Sequence, residues 1–209
     1  PEARAMNTKT ACTVIVQTCD AFSDCWEPFF NLFSKYWPDC PYDVVLSTES
    51  KRYVHSALNI RCYPAQTYGI ASSHWSDRLI GCLRFVQTPY VLHIQDDYFI
   101  QARVQGEIID EALAVMEAEA WTHIGLTHFG PRGRLLPTRY KWLHETPRLR
   151  RYRVNTQAGL WDRLGYLNVL KPRESCWQFE ILGTWRERWA NRKFGNVAPE
   201  YARHSPIVG

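Results

Sequence analysis

Short runs of strand-forming residues alternate with amphipathic helical patterns along the chain, and this alternation is the feature that most restricts its fold. The β-branched run Thr10–Thr18 precedes a helical pattern over Ser23–Trp37. A second helical pattern, Ser72–Val86, precedes the apolar run Tyr90–Ile94. Alternating strands and helices are typical of a parallel sheet covered on both sides. We therefore predict an α/β fold with a mostly parallel sheet, flanked by helices on both faces.

The pattern continues to the C-terminus in a less regular form. Segment 130–139, GPRGRLLPTR, is rich in breakers and predicts a loop. A strand is predicted over Arg151–Asn155, and helices over Gly159–Leu170 and Glu174–Asn191. A length of 209 residues fits a single domain.

The composition indicates a globular chain with an uneven positive charge. Apolar residues make up 45% of the sequence, which is enough for a buried core, and the formal net charge is +4. Basic residues cluster over 148–153 and again over 186–193. Such clusters suit phosphate groups, an anionic membrane surface or nucleic acid, although a solvated basic face is their most common role.

Cysteine usage and the lack of a long apolar run point to the cytoplasm. The seven cysteines are scattered and contain no CxxC pair, so reduced thiols are the expected state. No apolar run approaches the ~20 residues that span a bilayer, and no secretory signal is visible. We also expect Pro1–Ala5, ahead of Met6, to be a remnant of an expression tag.

The segment YVLHIQDDYFI, residues 90–100, places two adjacent carboxylates directly after a predicted buried strand. Ligands of α/β sheets bind at the carboxyl ends of the strands. Two neighbouring ionised carboxylates need a cation nearby, and Mg²⁺ or Mn²⁺ accepts one or two of them together with diphosphate oxygens. The alternative is an Asp-rich strand end that caps a turn. The preceding strand favours a functional role for Asp96 and Asp97.

This strand and its acid pair resemble the DxD region of glycosyltransferases with the GT-A fold. The first strand ends in QTCD, residues 17–20, which looks like the GT-A start that contacts the nucleotide. The segment HWSDRLIGCLRFVQTPYVLHIQDDYFI is similar to bacterial polysaccharide-type transferases. The motif reads QDD instead of DxD, and we favour Asp97, at its last position, as the metal ligand.

The resemblance implies one GT-A-like domain over residues 1–209. Residues 6–130 would form its nucleotide-sugar-binding half, and residues 131–209 its acceptor-side half. It also implies that Thr18, Asp20, Asp96 and Asp97 contact a nucleotide-sugar donor, with Mg²⁺ or Mn²⁺ held by Asp97.

Arg78, in the motif HWSDRL, is a further candidate for donor binding. Its guanidinium could form a bidentate contact with a phosphate or a carboxylate. The alternative is a surface pair of Asp77 and Arg78 on an amphipathic helix, which would contribute little.

The motif ESCWQFE, residues 174–180, opens the last predicted helix. Trp177 and Glu180 are three residues apart and share a helical face. An inverting transferase needs a carboxylate to deprotonate the acceptor hydroxyl, and inverting GT-A enzymes resemble this arrangement. Glu180 is therefore the candidate base and Trp177 a stacking platform for the acceptor. Glu174 competes, although it also suits a helix N-terminus, and Glu180 could be a solvated charge.

The segment NTQAGLW, residues 155–161, lies between a predicted strand and a predicted helix. Its amide and indole groups could orient sugar hydroxyls, which makes Gln157 and Trp161 candidates for acceptor binding. The alternative is a polar loop with Trp161 in the core. His128 could also approach an acceptor, although a lone histidine is more often structural.

Together these residues predict a glycosyltransferase that moves a sugar from a nucleotide-sugar to a hydroxyl, with inversion. The resemblance implies a surface-polysaccharide or lipid-linked glycan acceptor. We expect a cytoplasmic protein with peripheral contact at the inner face of the membrane and no specific nucleic-acid partner. One alternative is a sugar nucleotidyltransferase, but its Gly-rich basic loop is replaced here by DAFSD, residues 20–24. The other is a non-catalytic basic module that binds carbohydrate or nucleic acid.

Overall fold

A computed structural model describes residues 11–71, 74–127, 131 and 133–202. The strands are β1 (Cys12–Gln17), β2 (Asp43–Thr48), β3 (Ile60–Pro64), β4 (Tyr90–Gln95), β5 (Trp121–Gly125), β6 (Leu136–Pro137), β7 (Leu143–Glu145), β8 (Gly159–Asp162) and β9 (Lys193–Val197). The helices are α1 (Trp26–Tyr36), α2 (Trp75–Phe85), α3 (Gly106–Glu119), α4 (Arg163–Val169), α5 and α6 (Pro199–Ala202). Helix α5 runs as Cys176–Gln178, a π-helix over Phe179–Gly183, and Thr184–Arg186.

The strands form one sheet in the order β3-β2-β1-β4-β8-β5-β9-β7-β6. Strands β3, β2, β1 and β4 run parallel to one another. Strand β8 runs antiparallel between β4 and β5. The segment that enters β8 therefore lies at the same edge as the carboxyl ends of β1 and β4, which is where parallel strands place ligands.

The sheet is mixed, so the prediction of a mostly parallel sheet is wrong. Pairs β4/β8, β5/β8, β6/β7 and β7/β9 are antiparallel, while β5/β9 is parallel. The main cause is Gly159–Asp162, which forms a strand where a helix is predicted. A Cβ at Gly159 would lie 2.6 Å from Nε2 of His123 and 3.2 Å from the carbonyl oxygen of Ile124. Only glycine permits this close pairing with β5.

Side chains of the central strands pack into two separate apolar clusters, one on each face of the sheet. In β1, Val14 and Val16 join the cluster that contains the phenylalanines of α1, whereas Ile15 joins the cluster that contains Leu79 and Leu83 of α2. This follows from the two-residue period of a strand, which sends successive side chains to opposite faces. Both clusters consist of nearly inaccessible residues, so the strand ends that carry the site rest on a packed core.

Two further C-terminal predictions differ from the structure. No strand forms over Arg151–Asn155, because the backbone N–H of Val154 donates to the Thr184 hydroxyl at 3.0 Å instead of to a neighbouring strand. Arg153 is buried there and donates to the carbonyl oxygens of Glu187 and Arg192 at 2.9 and 2.6 Å. The last predicted helix ends at Arg186, and the following segment contributes strand β9.

Within the described residues, no helix has both the length and the apolar character needed to cross a membrane. The division into residues 6–130 and 131–209 stays a prediction. Strands β8 and β9 of the second part lie on either side of β5 of the first part, within one sheet.

Candidate functional site

The carboxyl ends of β1 and β4 lie side by side, with Gln17 opposite Gln95. Asp96 and Asp97 follow β4 directly. A cavity of about 300 Å³ opens at this edge, and its walls include Gln17, Thr18, Trp75, Arg78, Asp96 and Asp97. The structure thus brings Thr18, Arg78 and the acid pair together, although they are far apart in the sequence.

Asp96 is oriented by a chain of hydrogen bonds. The Thr18 hydroxyl donates to Oδ2 of Asp96, and the indole Nε1 of Trp26 donates to Oγ1 of Thr18 at 2.8 Å. Only 6% of the Asp96 surface is exposed. Burial raises the pKa of Asp96 to about 6, the Thr18 hydrogen bond opposes this rise, and the charge of Asp97 adds to it. Thr18 therefore acts on the site through Asp96.

Asp97 differs from its neighbour because its carboxylate is exposed and open to the cavity. No hydrogen-bond donor or cationic side chain among the described residues pairs with it. In the part of the chain that the structure describes, no three His, Cys, Asp or Glu side chains cluster as a metal site. The acid pair still fits Mg²⁺ or Mn²⁺, because such ions are commonly bound through one or two carboxylates plus phosphate oxygens and water.

Arg78 places a positive charge in the wall of the same cavity as the negatively charged acid pair. Its side chain is buried, lines the cavity and donates from Nη1 to Oε1 of Glu49 at 3.1 Å. It is therefore not part of an exposed pair with Asp77, which accepts instead from the backbone N–H of Arg173 at 3.1 Å. A buried guanidinium beside the cavity is placed to contact an anionic ligand.

Asp20 holds the loop that follows β2. Its carboxylate accepts from the backbone N–H groups of Glu49, Ser50 and Lys51 at 3.1–3.2 Å. Partial burial raises the pKa of Asp20, but these hydrogen bonds and the Ser50 hydroxyl outweigh it and bring the pKa below its ordinary value. Direct contact between Asp20 and a donor stays a prediction.

Glu180 is fixed by the segment that enters β8. The backbone N–H and the hydroxyl of Thr156 donate to Oε1 of Glu180 at 2.8 and 2.9 Å. The same hydroxyl oxygen accepts from Nε2 of Gln95 at 3.2 Å, and Gln95 is part of the wall of the cavity with the acid pair. Oε2 of Glu180 has no hydrogen-bond partner among the described residues. One carboxylate oxygen is thus held while the other stays available.

Glu180 also lines a second cavity, of about 330 Å³, together with Trp185. It sits in the π-helical turn of α5, where Phe179 packs into the core and Ile181 is exposed. Such turns often occur at functional sites. The position of Glu180, linked to the first cavity through Thr156 and lining the second, suits a group that acts between two ligands.

The three candidates for acceptor binding lie in different environments. Gln157 follows Thr156 and donates from Nε2 to the Tyr98 hydroxyl at 2.7 Å, next to the acid pair. Trp177 is 73% exposed on α5. Trp161 is completely buried and stacks on Tyr166 with ring centroids 4.0 Å apart. The prediction that Trp161 binds an acceptor is therefore wrong, because its indole has no surface to offer.

Packing also decides the role of Glu174 and of a histidine in β5. Glu174 is buried, forms an ion pair with Arg186 at 2.6 Å and lines neither cavity, so it is not placed to act as a base. His123 lies in the core against Trp161, with ring centroids 4.2 Å apart. His128 lies outside the described residues.

Gln17 belongs to the segment QTCD that the resemblance links to the nucleotide, but it is not among the residues that the sequence singles out for donor binding. It is only 2% exposed and lines the cavity, yet neither its side-chain nitrogen nor its oxygen has a partner among the described residues. A buried amide without partners is costly unless a ligand satisfies it. The available signal was the polar pair QT directly after the apolar run TVIV.

No family model matches the sequence, and no curated protein matches it. Solved structures do match. TarS of S. aureus, residues 1–349, is 17% identical with a TM-score of 0.58, over 90% of this chain and 57% of that one. Its complex with UDP-GlcNAc is 16% identical with a TM-score of 0.57, over 90% and 55% of the two chains.

The bifunctional glycosyltransferase WbbM is 12% identical with a TM-score of 0.51, over 91% of this chain and 39% of that chain. The chain therefore spans little more than half of the TarS chain and less of WbbM. At these identities the likeness concerns the fold. The predicted GT-A-like fold is supported at that level, and the polysaccharide type stays a prediction.

Proposed function

We propose that the protein is a glycosyltransferase that moves a sugar from a nucleotide-sugar to a hydroxyl acceptor. The observation that carries this proposal is the position of Glu180. Thr156 ties it to Gln95 beside the acid pair, while its other oxygen remains available, and it also lines the second cavity. That arrangement suits a base between a donor and an acceptor. The fold shared with TarS and WbbM supports the same class of reaction.

The donor occupies the cavity at the ends of β1 and β4 in this proposal. Arg78 contacts its diphosphate, and the amide of Gln17 satisfies polar groups of the nucleotide. Asp97, with Asp96, would hold Mg²⁺ or Mn²⁺, which would neutralise charge on the leaving diphosphate. Thr18 orients Asp96 through its hydroxyl, and Asp20 keeps the loop after β2 in place.

The reaction is a single displacement that inverts the anomeric carbon. Glu180 takes the proton of the acceptor hydroxyl as the oxygen forms its bond to that carbon. The bond from the carbon to the diphosphate oxygen breaks, and the electron pair leaves with the nucleoside diphosphate. Arg78 stabilises the charge that develops on this leaving group.

We assign the acceptor to a surface polysaccharide or glycolipid, because the sequence resembles polysaccharide-type transferases. Gln157, beside Tyr98, and the exposed Trp177 are the residues we retain on the acceptor side. The cytoplasmic location and the peripheral membrane contact belong to this proposal as well. No specific nucleic-acid partner is part of it.

A thermal-shift screen with nucleoside diphosphates and nucleotide-sugars, with and without Mn²⁺, tests the proposal. A ligand at 100 times its dissociation constant should stabilise the fold by about 2.7 kcal/mol. We expect at least one nucleotide-sugar to do so. If none does and polyanions bind instead with strong salt dependence, a non-catalytic basic module is the better description. Formation of a nucleotide-sugar from a nucleoside triphosphate would instead indicate a nucleotidyltransferase.

A further inference from the structure

The second cavity, next to Glu180, has the size and lining of a ligand site. Its volume of about 330 Å³ falls in the range of small-molecule pockets, roughly 300–1,000 Å³. The walls come from α5, from Arg188 beyond it, and from the turn that precedes Val154. A ligand bound here would meet the carboxylate of Glu180, the proposed base.

The apolar part of the wall is aromatic and exposed. Trp185 is 60% exposed, and Tyr152 lines the same cavity. Flat rings of this kind stack on the C–H faces of sugars, because they offer a large apolar surface with little flexibility. Tyr152 has a φ of 55°, which is rare for a bulky residue. Such backbone strain recurs at ligand-binding positions.

The polar part of the wall combines the carboxylate of Glu180 with two arginines, which leaves it with an excess of positive charge. Arg151 and Arg188 line the cavity, and neither forms an ion pair with a carboxylate among the described residues. Their neighbours behave differently, since Arg186 pairs with Glu174 and Arg192 with Glu187, both at 2.6 Å. The buried Nε of Arg188 also has no hydrogen-bond acceptor in the described part of the chain. An oxyanion bound in the cavity would supply one.

We propose that this cavity binds an acidic glycan as the acceptor. A carboxylate or phosphate group of the glycan pairs with Arg151 and Arg188, a sugar ring stacks on Trp185, and a hydroxyl points to Glu180. The inference rests on the proposed function, because it names the acceptor class of the same site. It also explains why the guanidinium groups beside a candidate base have no carboxylate partner in the part of the chain that the structure describes.

Binding of simple glycosides to the full chain tests this inference. The probes are methyl glucuronide and methyl glucoside 6-phosphate, with neutral methyl glucoside as the comparison. The reporter is the ¹H–¹⁵N indole resonance of Trp185, assigned with the variant Trp185→Phe. We expect at least one acidic glycoside to shift it with a dissociation constant at least about tenfold below that of the neutral one. The acidic glycoside that binds more tightly shows whether the site prefers a carboxylate or a phosphate.

Two arginine variants separate the site from general charge. Arg188→Gln and, at the exposed position, Arg151→Gln should each weaken the acidic probe at least about tenfold, a typical loss for a charge-assisted hydrogen bond. Arg84→Gln, which removes an exposed arginine on α2, should leave binding unchanged. Equal affinity for acidic and neutral glycosides, or an equal effect of Arg84→Gln, would overturn the inference.

Two further outcomes identify which idea has failed. If nucleotide-sugars stabilise the protein but acidic glycosides do not shift the Trp185 resonance, the acceptor inference fails and the proposed function stands. If nucleotide-sugars do not bind, the proposed function fails whatever the glycosides do. If phosphatidylglycerol vesicles shift the Trp185 resonance and neither acidic glycoside does, the cavity binds a membrane surface and the inference of a glycan ligand is wrong.

Discussion

Thr156 donates two hydrogen bonds to one oxygen of Glu180, from its backbone N–H at 2.8 Å and from its hydroxyl at 2.9 Å. The hydroxyl also accepts from Gln95 at 3.2 Å, so it connects the strand that carries the acid pair with the helix that carries the base. In the proposed reaction this contact sets the direction of the free Glu180 oxygen.

Thr156→Val removes the hydroxyl and retains both the shape and the backbone N–H. We expect kcat to fall about 10- to 100-fold, because one hydrogen bond to a charged group contributes roughly 1.5–3 kcal/mol. The KM for the nucleotide-sugar should hardly change, since Thr156 is not part of the donor wall. Steady-state kinetics with the exposed Thr67→Val as control would check this; a changed KM with unchanged kcat would contradict the role of Thr156.

Asp96→Asn should stabilise the metal-free protein in a pH-dependent manner. Burial raises the pKa of Asp96 to about 6, so the folded state disfavours ionisation, and stability falls as the pH rises from the unfolded value towards 6. The amide avoids this cost and still accepts from Thr18. We expect a gain of about 3 kcal/mol at pH 8 and roughly half of that at pH 5.

Urea unfolding of the two proteins at both pH values measures this gain. The exposed Asp24→Asn, which also replaces one carboxylate by an amide, is the matched control. A gain that is equal at pH 5 and pH 8 would mean that Asp96 does not titrate in the way its burial indicates.

Gln17→Leu should raise the stability of the apo protein and weaken nucleotide-sugar binding. The variant removes a buried amide without partners, so the apo protein should gain about 1–2 kcal/mol, or a few degrees in melting temperature. Nucleotide-sugar binding should weaken at least about tenfold, because the ligand loses its polar partner. Calorimetric melting and titration would measure both effects, with the exposed Gln66→Leu as control. A destabilised apo variant with unchanged affinity would contradict this role.

Asp97→Asn tests whether Asp97 binds the metal ion. Because the carboxylate of Asp97 is exposed to the cavity and has no hydrogen-bond or ion-pair partner among the described residues, its removal should not destabilise the apo protein, and the loss of its repulsion with Asp96 should raise the stability slightly. The additional stabilisation that Mn²⁺ gives to a bound nucleoside diphosphate should disappear. The thermal shift of each variant with diphosphate, with and without Mn²⁺, measures this; persistence of the Mn²⁺ effect would remove Asp97 from the metal site.

The sequence predicts the donor side of the site better than the acceptor side, and the reason is locality. The run Tyr90–Ile94 and the acid pair after it are contiguous, so strand propensity and position suffice to place them at a ligand-binding edge. The ends of β1 and β4 then meet by topology, which brings in Thr18. The burial of Arg78 against Glu49 depends on a loop elsewhere in the chain, and no local pattern encodes it.

The remaining features of the C-terminal part depend on tertiary contacts, which the periodicity of the sequence does not encode. Gly159–Asp162 is apolar and short, so helix and strand are hard to distinguish until its pairing with β4 and β5 is known. Trp161 then becomes a core residue. Helix α5 contains a π-helical turn instead of a regular period and ends before the predicted boundary at Asn191, and strand β9 follows in a segment for which the sequence gives no prediction.

The most direct test of the account is the turnover of Glu180→Gln with a nucleotide-sugar that stabilises the protein. The variant keeps the size of the side chain and an oxygen that accepts from Thr156, but it has no carboxylate to take a proton. We expect a kcat lower by about 10²- to 10⁴-fold, with donor affinity unchanged. Glu117→Gln, an exposed change on α3, should retain full activity. A kcat for Glu180→Gln close to that of the unaltered protein would contradict the central claim that Glu180 is the base.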